Sequence, residues 1–109
     1  MADTMGSFEQ AVLLAILRLG DDAYGRAVLS EVQVRLGRAV AAGAVHATLE
    51  RLERKGLVAS RLGTGTPIRG GRPRRFYRMK SGGLRALNQA RAAVDTLWSG
   101  LEFPLKGHV

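Results

Sequence analysis

Cysteine is absent from the 109-residue chain. Its absence excludes disulfide bonds, thiol nucleophiles and zinc sites built on thiolate ligands. Histidine is scarce as well: His46 and His108 lie far apart in sequence, and neither a carboxylate pair nor a Ser–His arrangement is apparent. We therefore expect no catalytic residues, no metal site and no cofactor, which makes an enzyme the least supported class of function.

Long apolar segments are also missing. The longest uninterrupted apolar run, Ala11 to Leu17, is far shorter than the roughly 20 residues that a helix needs to cross a bilayer. The N-terminal stretch MADTMGSFEQ lacks the positively charged start of a secretory signal. We expect a cytoplasmic protein that does not bind a membrane.

Acidic residues are few, and basic residues are concentrated in one part of the chain. Nine Asp and Glu stand against seventeen Lys and Arg, which leaves a formal net charge of +8. Ten of the cations lie between Arg51 and Lys80, where the only acid is Glu53. Such clustering is typical of a protein that binds an acidic polymer or surface.

The first helix is predicted to begin at Ser7, which would form a capping box with Gln10, and to end at the sequence LGDD (19–22). An apolar surface covers most of this helix, too wide for one small core to bury, so part of it should meet a partner helix. Its two sides carry Phe8, Val12, Ala15, Ile16 and Leu19, and Leu13, Leu14 and Leu17.

Two further helices are predicted, from about Tyr24 to Leu36 and from about Ala42 to Lys55. A glycine follows each of them, at Gly37 and Gly56, as is common where a helix ends. Helical spacing predicts the buried seam of the third helix to consist of Val45, Leu49 and Leu52.

A β-hairpin is predicted next, because the segments LVASRLG and RRFYRM alternate in polarity around a glycine-rich loop, Gly63 to Pro73. A fourth helix, capped by Ser81, would then run from about Gly83 to Leu101. This order of elements is mainly α with a β-hairpin. It predicts a winged helix-turn-helix followed by a C-terminal helix.

The loop does not match the patterns of nucleotide-binding loops. Ile68 stands where a dinucleotide fingerprint that starts at Gly63 needs glycine, and Gly71 stands where a Walker motif needs lysine. Both motifs also lead from a strand into a helix, whereas this loop joins two strands. We interpret it as a wing whose arginines hold phosphates; a solvated basic hairpin without a partner is the alternative.

The third helix is the candidate reading helix, because the small residues of its first turn allow close approach to the floor of a DNA groove. For His46, an exposed or structural histidine is an equally open alternative. The residues predicted to contact DNA are Ala42, Gly43, His46, Ala47 and Arg51 on the helix, and Arg69, Gly70, Gly71, Arg72, Arg74 and Arg75 on the wing.

Three segments in this order resemble the PadR family of bacterial transcriptional regulators: VLLAILRLGDDAYG (12–25), GAVHATLERLERKGLV (43–58) and RGGRPRRFYRM (69–79). The resemblance runs from about Phe8 to Ala90. It implies that the second and third helices form the helix-turn-helix, that GGRPRRFY forms the wing and that the C-terminal helix joins two subunits. Two positions depart from the family pattern, since His46 replaces a tyrosine and Lys80 a threonine.

The expected organisation is a DNA-binding domain over 1–80, a dimerisation helix over 81–101 and a tail over 102–109. The resemblance also implies a small aromatic or drug-like effector near the dimer contact, with Trp98 as the candidate ligand residue; simple interface packing of Trp98 is the alternative. The predicted interface residues are Phe8, Leu13, Leu17, Leu84, Leu87, Val94, Leu97, Trp98 and Leu101.

The leading hypothesis is a homodimeric repressor that binds double-stranded DNA. The alternative is a winged-helix module that binds an acidic protein partner through its hairpin.

Overall fold

The computed structural model describes residues 5–63 and 73–101. These residues form four α-helices and one hairpin in the predicted order, with a short 3₁₀ turn between the first two helices. The elements are α1 (Ser7–Leu19), the 3₁₀ turn (Gly20–Asp22), α2 (Gly25–Leu36), α3 (Ala42–Arg54), β1 (Val58–Leu62), β2 (Arg75–Met79) and α4 (Ser81–Trp98).

The two predicted serine caps are wrong. Ser7 and Ser81 are the first helical residues of α1 and α4, and the extended residues before them, Gly6 and Lys80, occupy the cap positions without side-chain cap hydrogen bonds. In place of a capping box, the Gln10 side-chain amide donates to the Met5 carbonyl oxygen at 2.9 Å. A serine at a helix start suits either position, so the sequence pattern did not distinguish them.

The helix ends agree with prediction to within a few residues. Gly37 follows α2 in the left-handed conformation (φ 68°, ψ 29°), where its N–H donates to the Gln33 carbonyl. Gly56 also has a positive φ of 77° just after α3. The main difference is in α4, which begins two residues earlier and ends three residues earlier than the predicted 83–101.

The core lies between α1, α2, α3 and the hairpin. The predicted seam of α3 is buried there, as are Val28 and Val32 of α2. Leu13 is a correction: it is fully buried within the single chain, so it cannot form part of an interface surface, and the outward side of α1 is carried by Leu14 and Leu17. The largest fully buried side chains are Leu13, Ile16, Leu49, Leu52, Val12, Val28, Val32, Val45 and Val58.

The hairpin is fixed along both edges of β2. On one edge β2 pairs antiparallel with β1, in a register that runs from Val58 opposite Met79 to Leu62 opposite Arg75. On the other edge the Tyr77 N–H donates to the Ala23 carbonyl oxygen at 2.8 Å, just before α2. The hairpin is therefore attached directly to the helix-turn-helix.

The start of α4 packs closely against the base of the hairpin. The Lys80 N–H donates to the Leu57 carbonyl oxygen at 3.0 Å, and Gly83 is buried beside it. A Cβ atom added at Gly83 would lie 2.5 Å from that same carbonyl oxygen and would also collide with the Met79 sulfur. Only glycine fits this contact without a shift of the helix.

Replacement of Gly83 by alanine is expected to lower the free energy of unfolding by about 1–3 kcal/mol, because the added methyl group overpacks the contact with backbone that cannot move freely. Urea unfolding at one fixed protein concentration measures the effect. The matched control is Gly43→Ala in α3, where an added Cβ has open space; there we expect a gain of about 0.5–1 kcal/mol. Equal stability of the two variants would contradict the close packing of Gly83.

Candidate nucleic-acid interface

One line of side chains on α3 faces away from the core. Gly43, Ala47, Glu50 and Arg54 follow a spacing of four, three and four residues, which returns to the same side of a helix, and all four are exposed. The first two are the smallest side chains available, so the N-terminal half of α3 is slim. This shape suits a helix that enters the major groove of DNA.

A groove of about 570 Å³ lies between α3, the start of α2 and the hairpin. Its described lining includes no acidic residue, and burial raises the pKa of Tyr77, so that its hydroxyl stays protonated there. The lining residues are Tyr24, Gly25, Arg26, Leu29, Ala42, Val45, His46, Leu49, Arg74, Arg75 and Tyr77.

Arg74 and Arg75, at the loop end of the hairpin, are held in defined positions beside this groove. The Arg74 guanidinium lies 4.2 Å from the centre of the Tyr24 ring, a cation–π contact. The Arg75 Nη1–H donates to Ser60 Oγ at 3.0 Å, and that hydroxyl donates to Glu53 Oε2 at 2.7 Å. The hydrogen bonds from Arg75 through Ser60 to Glu53 join the hairpin to α3.

Two helices begin at the groove. Gly25 and Ala42 are the first residues of α2 and α3, both line the groove, and neither helix has a side-chain cap hydrogen bond at its start. The first N–H groups of a helix and its dipole create a positive potential at that end. Together with Arg26, Arg74 and Arg75, they make this side of the molecule attractive to phosphate groups.

The predicted contact residues fall into three groups: exposed residues beside the groove, Arg51, and residues outside the described ranges. Ala42, Gly43, His46 and Ala47 are exposed on α3, and Arg74 and Arg75 are exposed on the hairpin beside it. Arg51 instead lies on the flank of α3 that faces α1. The remaining predicted residues, Arg69, Gly70, Gly71 and Arg72, lie outside the described residues, and the DNA contacts of the whole set stay a prediction.

Arg51 takes part in an ion-pair cluster that joins α3 to α1. Its Nε–H donates to Glu9 Oε2 at 3.0 Å, its Nη2–H donates to Thr48 Oγ1 at 3.2 Å, and Lys55 Nζ donates to the same Glu9 oxygen at 3.1 Å. The Glu9 side chain is only 12% exposed. Burial raises the pKa of Glu9, but the hydrogen bonds and charges of Arg51 and Lys55 outweigh it, so the net pKa is lowered.

Sequence reasoning missed several residues at this surface. Glu50 and Arg54 lie on the outward line of α3, and their helical spacing from Gly43 was the available signal. Tyr24 and Arg26 at the start of α2 also line the groove. Nothing in the local pattern around these two residues indicated that the hairpin would fold back against them.

A second surface is apolar and lies on α4. Leu84, Val94, Leu97 and Trp98 are exposed along this helix, and Leu101 is exposed just beyond it, whereas Leu87 packs partly buried against the core. On α1, Leu14 and Leu17 are exposed as well, and Phe8 packs against the core. The described residues therefore leave a long apolar strip uncovered.

Other classes of site find no support in the described residues. Residues 5–63 and 73–101 contain no group of three or more His, Cys, Asp or Glu side chains placed to hold a metal ion. None of the helices in that part of the chain combines the length and the apolarity that a membrane span requires.

A helix-turn-helix beside a basic hairpin is the arrangement of a winged-helix transcriptional regulator. Comparison with known families agrees and is more specific. The chain belongs to the PadR-like family of transcriptional regulators, because the model described as "Transcriptional regulator PadR-like family" matches residues 13–89. This confirms the resemblance found in the sequence, and the family consists of regulators rather than enzymes.

Solved structures show the same fold. A PadR family transcriptional regulator from Eggerthella lenta DSM 2243 is 31% identical, with a TM-score of 0.64 over 82% of this chain and 75% of that one. RosR of H. salinarum is 20% identical, with a TM-score of 0.68 over 92% and 83%. Bordetella bronchiseptica BpsR, whose DNA binding is regulated by 6-hydroxynicotinic acid, is 17% identical, with a TM-score of 0.61 over 94% and 72%. No curated protein matches the chain significantly.

Replacement of Glu9 by glutamine is expected to lower the free energy of unfolding at neutral pH by about 1 kcal/mol, since its partners are partly exposed to water. Because the folded pKa is lowered, the stability that Glu9 contributes is present above its ordinary pKa of 4.5 and is lost as the pH falls through the folded value. Urea unfolding from neutral to acidic pH should show wild type and variant converge at the acidic end.

Glu50→Gln is the control, because Glu50 is more than half exposed and its ion-pair contact is with His46, not with another element. Its stability should follow that of the wild type over the same range. A stability difference for Glu9→Gln that does not change with pH would argue against the ion-pair cluster.

Proposed function

We propose that the chain is a sequence-specific DNA-binding repressor that acts as a homodimer. The observation that carries this proposal is the slim outward line of α3 beside a groove lined by Arg26, Arg74 and Arg75. Membership of a family of transcriptional regulators supports it. In this proposal α3 enters the major groove, while the hairpin and the start of α2 follow the sugar–phosphate backbone.

The proposed dimer is formed through the apolar strip of α4. A cluster of exposed apolar side chains of this kind usually marks an interface in a protein of this size. Pairing with α4 and with Leu14 and Leu17 of a second copy would cover it, so residues 1–80 form the DNA-binding unit and 81–101 the dimerisation helix. Two-fold symmetry then presents two copies of α3 to half-sites roughly 34–36 Å apart, or a multiple of that distance.

A small aromatic effector is part of the proposal, with Trp98 as its contact. Trp98 is half exposed on α4, and the flat face of an indole stacks well on planar ligands. The regulation of BpsR by 6-hydroxynicotinic acid is a property of that protein, and it supports testing small aromatic acids on this one. A bound effector would change how the two subunits pair and hence the distance between their reading helices.

Fluorescence anisotropy with DNA from upstream of its own gene tests the proposed function. Affinity should exceed that for a random duplex and fall steeply with salt, because each neutralised phosphate releases counterions. A flat salt response, or equal affinity for random DNA, would favour the alternative in which the hairpin binds an acidic protein.

The double variant Arg72→Ala, Arg75→Ala is expected to weaken binding to all duplexes alike. If each arginine holds one phosphate, the proposed dimer loses four phosphate contacts, and the slope of log affinity against log salt should become shallower by roughly 3–4. The control with the same change of charge is Arg35→Ala, Arg85→Ala, at exposed positions that do not line the groove and lie away from the apolar strip of α4. Unchanged affinity of the Arg72/Arg75 variant, or the same loss of affinity in the control, would show that the wing does not contact DNA.

Leu97→Glu is expected to weaken self-association on the order of tenfold or more, because the proposed interface would have to bury an unpaired charge. Leu97 is 77% exposed in the single chain, so the core should tolerate the change. Sedimentation velocity over a range of concentrations measures the effect, with the exposed Ala92→Glu on the opposite side of α4 as the control. A wild-type chain that stays monomeric at all concentrations would exclude the dimer.

A further inference from the structure

Glu50 is an unexpected residue to find on the surface that would meet DNA. It lies in the middle of the outward line of α3, where Gly43 and Ala47 precede it and Arg54 follows. Because the two preceding residues are small, Glu50 is the first side chain on that line long enough to extend from the helix. Any duplex that accepts α3 in its major groove therefore brings base edges close to this carboxylate.

A carboxylate at this place opposes general DNA binding. The chain carries a net charge of +8, yet this negative charge would approach a polyanion and repel its phosphates. The fold does not account for it, since the side chain is 57% exposed and its ion-pair contact lies within α3 itself. The residue is therefore better explained by a specific contact than by stability.

His46 approaches Glu50 on the same helix. His46 Nε2 lies 3.3 Å from Glu50 Oε2, one helical turn away. The second carboxylate oxygen, Oε1, has no hydrogen-bond partner within the described ranges 5–63 and 73–101. This carboxylate therefore has an oxygen available to accept a hydrogen bond from a partner.

The edges of the four bases differ in how they would meet such an acceptor. In the major groove guanine presents two acceptors and thymine one acceptor with a methyl group, so both repel a carboxylate. Adenine presents a donor directly beside an acceptor, whereas cytosine presents only the N4 amino donor. Cytosine is the base that a carboxylate recognises without an opposing contact.

We propose that Glu50 is a specificity-determining residue that accepts a hydrogen bond from the N4 amino group of a cytosine in each half-site. This inference rests on the proposed function and adds to it the identity of one base pair in each half-site. The carboxylate lowers affinity for DNA in general and restores it only where cytosine stands at the matching position.

Selection from a library of randomised duplexes tests the proposal with the full-length protein. The wild type should enrich a C·G pair at a fixed position in each half-site. Glu50→Ala should lose that preference by at least about fivefold while binding random duplexes more tightly, because the repulsion has gone. Glu50→Gln should shift the preference toward adenine, to which a side-chain amide both donates and accepts.

The matched control is Asp21→Ala, which removes the same charge from an exposed position. Asp21 does not line the groove, so this variant should keep the cytosine preference. An enriched sequence without cytosine, or the same enriched sequence for wild type and Glu50→Ala, would overturn the role of Glu50 alone. A chain that prefers no duplex would overturn the proposed function together with this inference.

Discussion

The groove beside α3 exists because β2 is paired along both of its edges. β1 holds one edge, and the hydrogen bond from the Tyr77 N–H to the Ala23 carbonyl holds the other. Without the second pairing, a two-stranded hairpin would be only marginally stable in water and free to swing. With it, Arg74 and Arg75 stay beside the start of α2 and face the same side as α3. The edge-to-face contact of Tyr24 with Phe76 reinforces the same junction.

Electrostatics fix the opposite flank of α3. Glu9 accepts from both Arg51 and Lys55, which joins the helix to α1 across a separation of more than 40 residues in sequence. Two of the cations in the basic segment are therefore engaged in holding the helix rather than directed outward. The hairpin on one side and the ion-pair cluster on the other leave the outward line of α3 available to a partner.

Local patterns were sufficient to predict the element order, the seam of α3 and the glycine at the end of α2, because each depends on residues a few positions apart. They were insufficient to predict that Leu13 is buried. Because α1 is apolar on nearly every side, the side that faces the core depends on residues distant in sequence. Arg51 was predicted to face outward for the same reason: its partner, Glu9, lies on another helix. The position of Glu50 on the outward line of α3 could have been predicted from helical spacing alone. It was missed because only small and basic residues were considered as candidates for contact with DNA.

The exposed end of α4 has a consequence for how the chain folds. Every residue from 91 to 101 is exposed in the single chain, so the second half of this helix is stabilised mainly by its own backbone. Isolated helical segments of that length are marginal in water. If the proposed dimer covers α4, amide hydrogens there should exchange rapidly in dilute protein and slowly in concentrated protein. Helix formation and subunit association would then be one coupled equilibrium, sensitive to how many copies of the chain a cell contains.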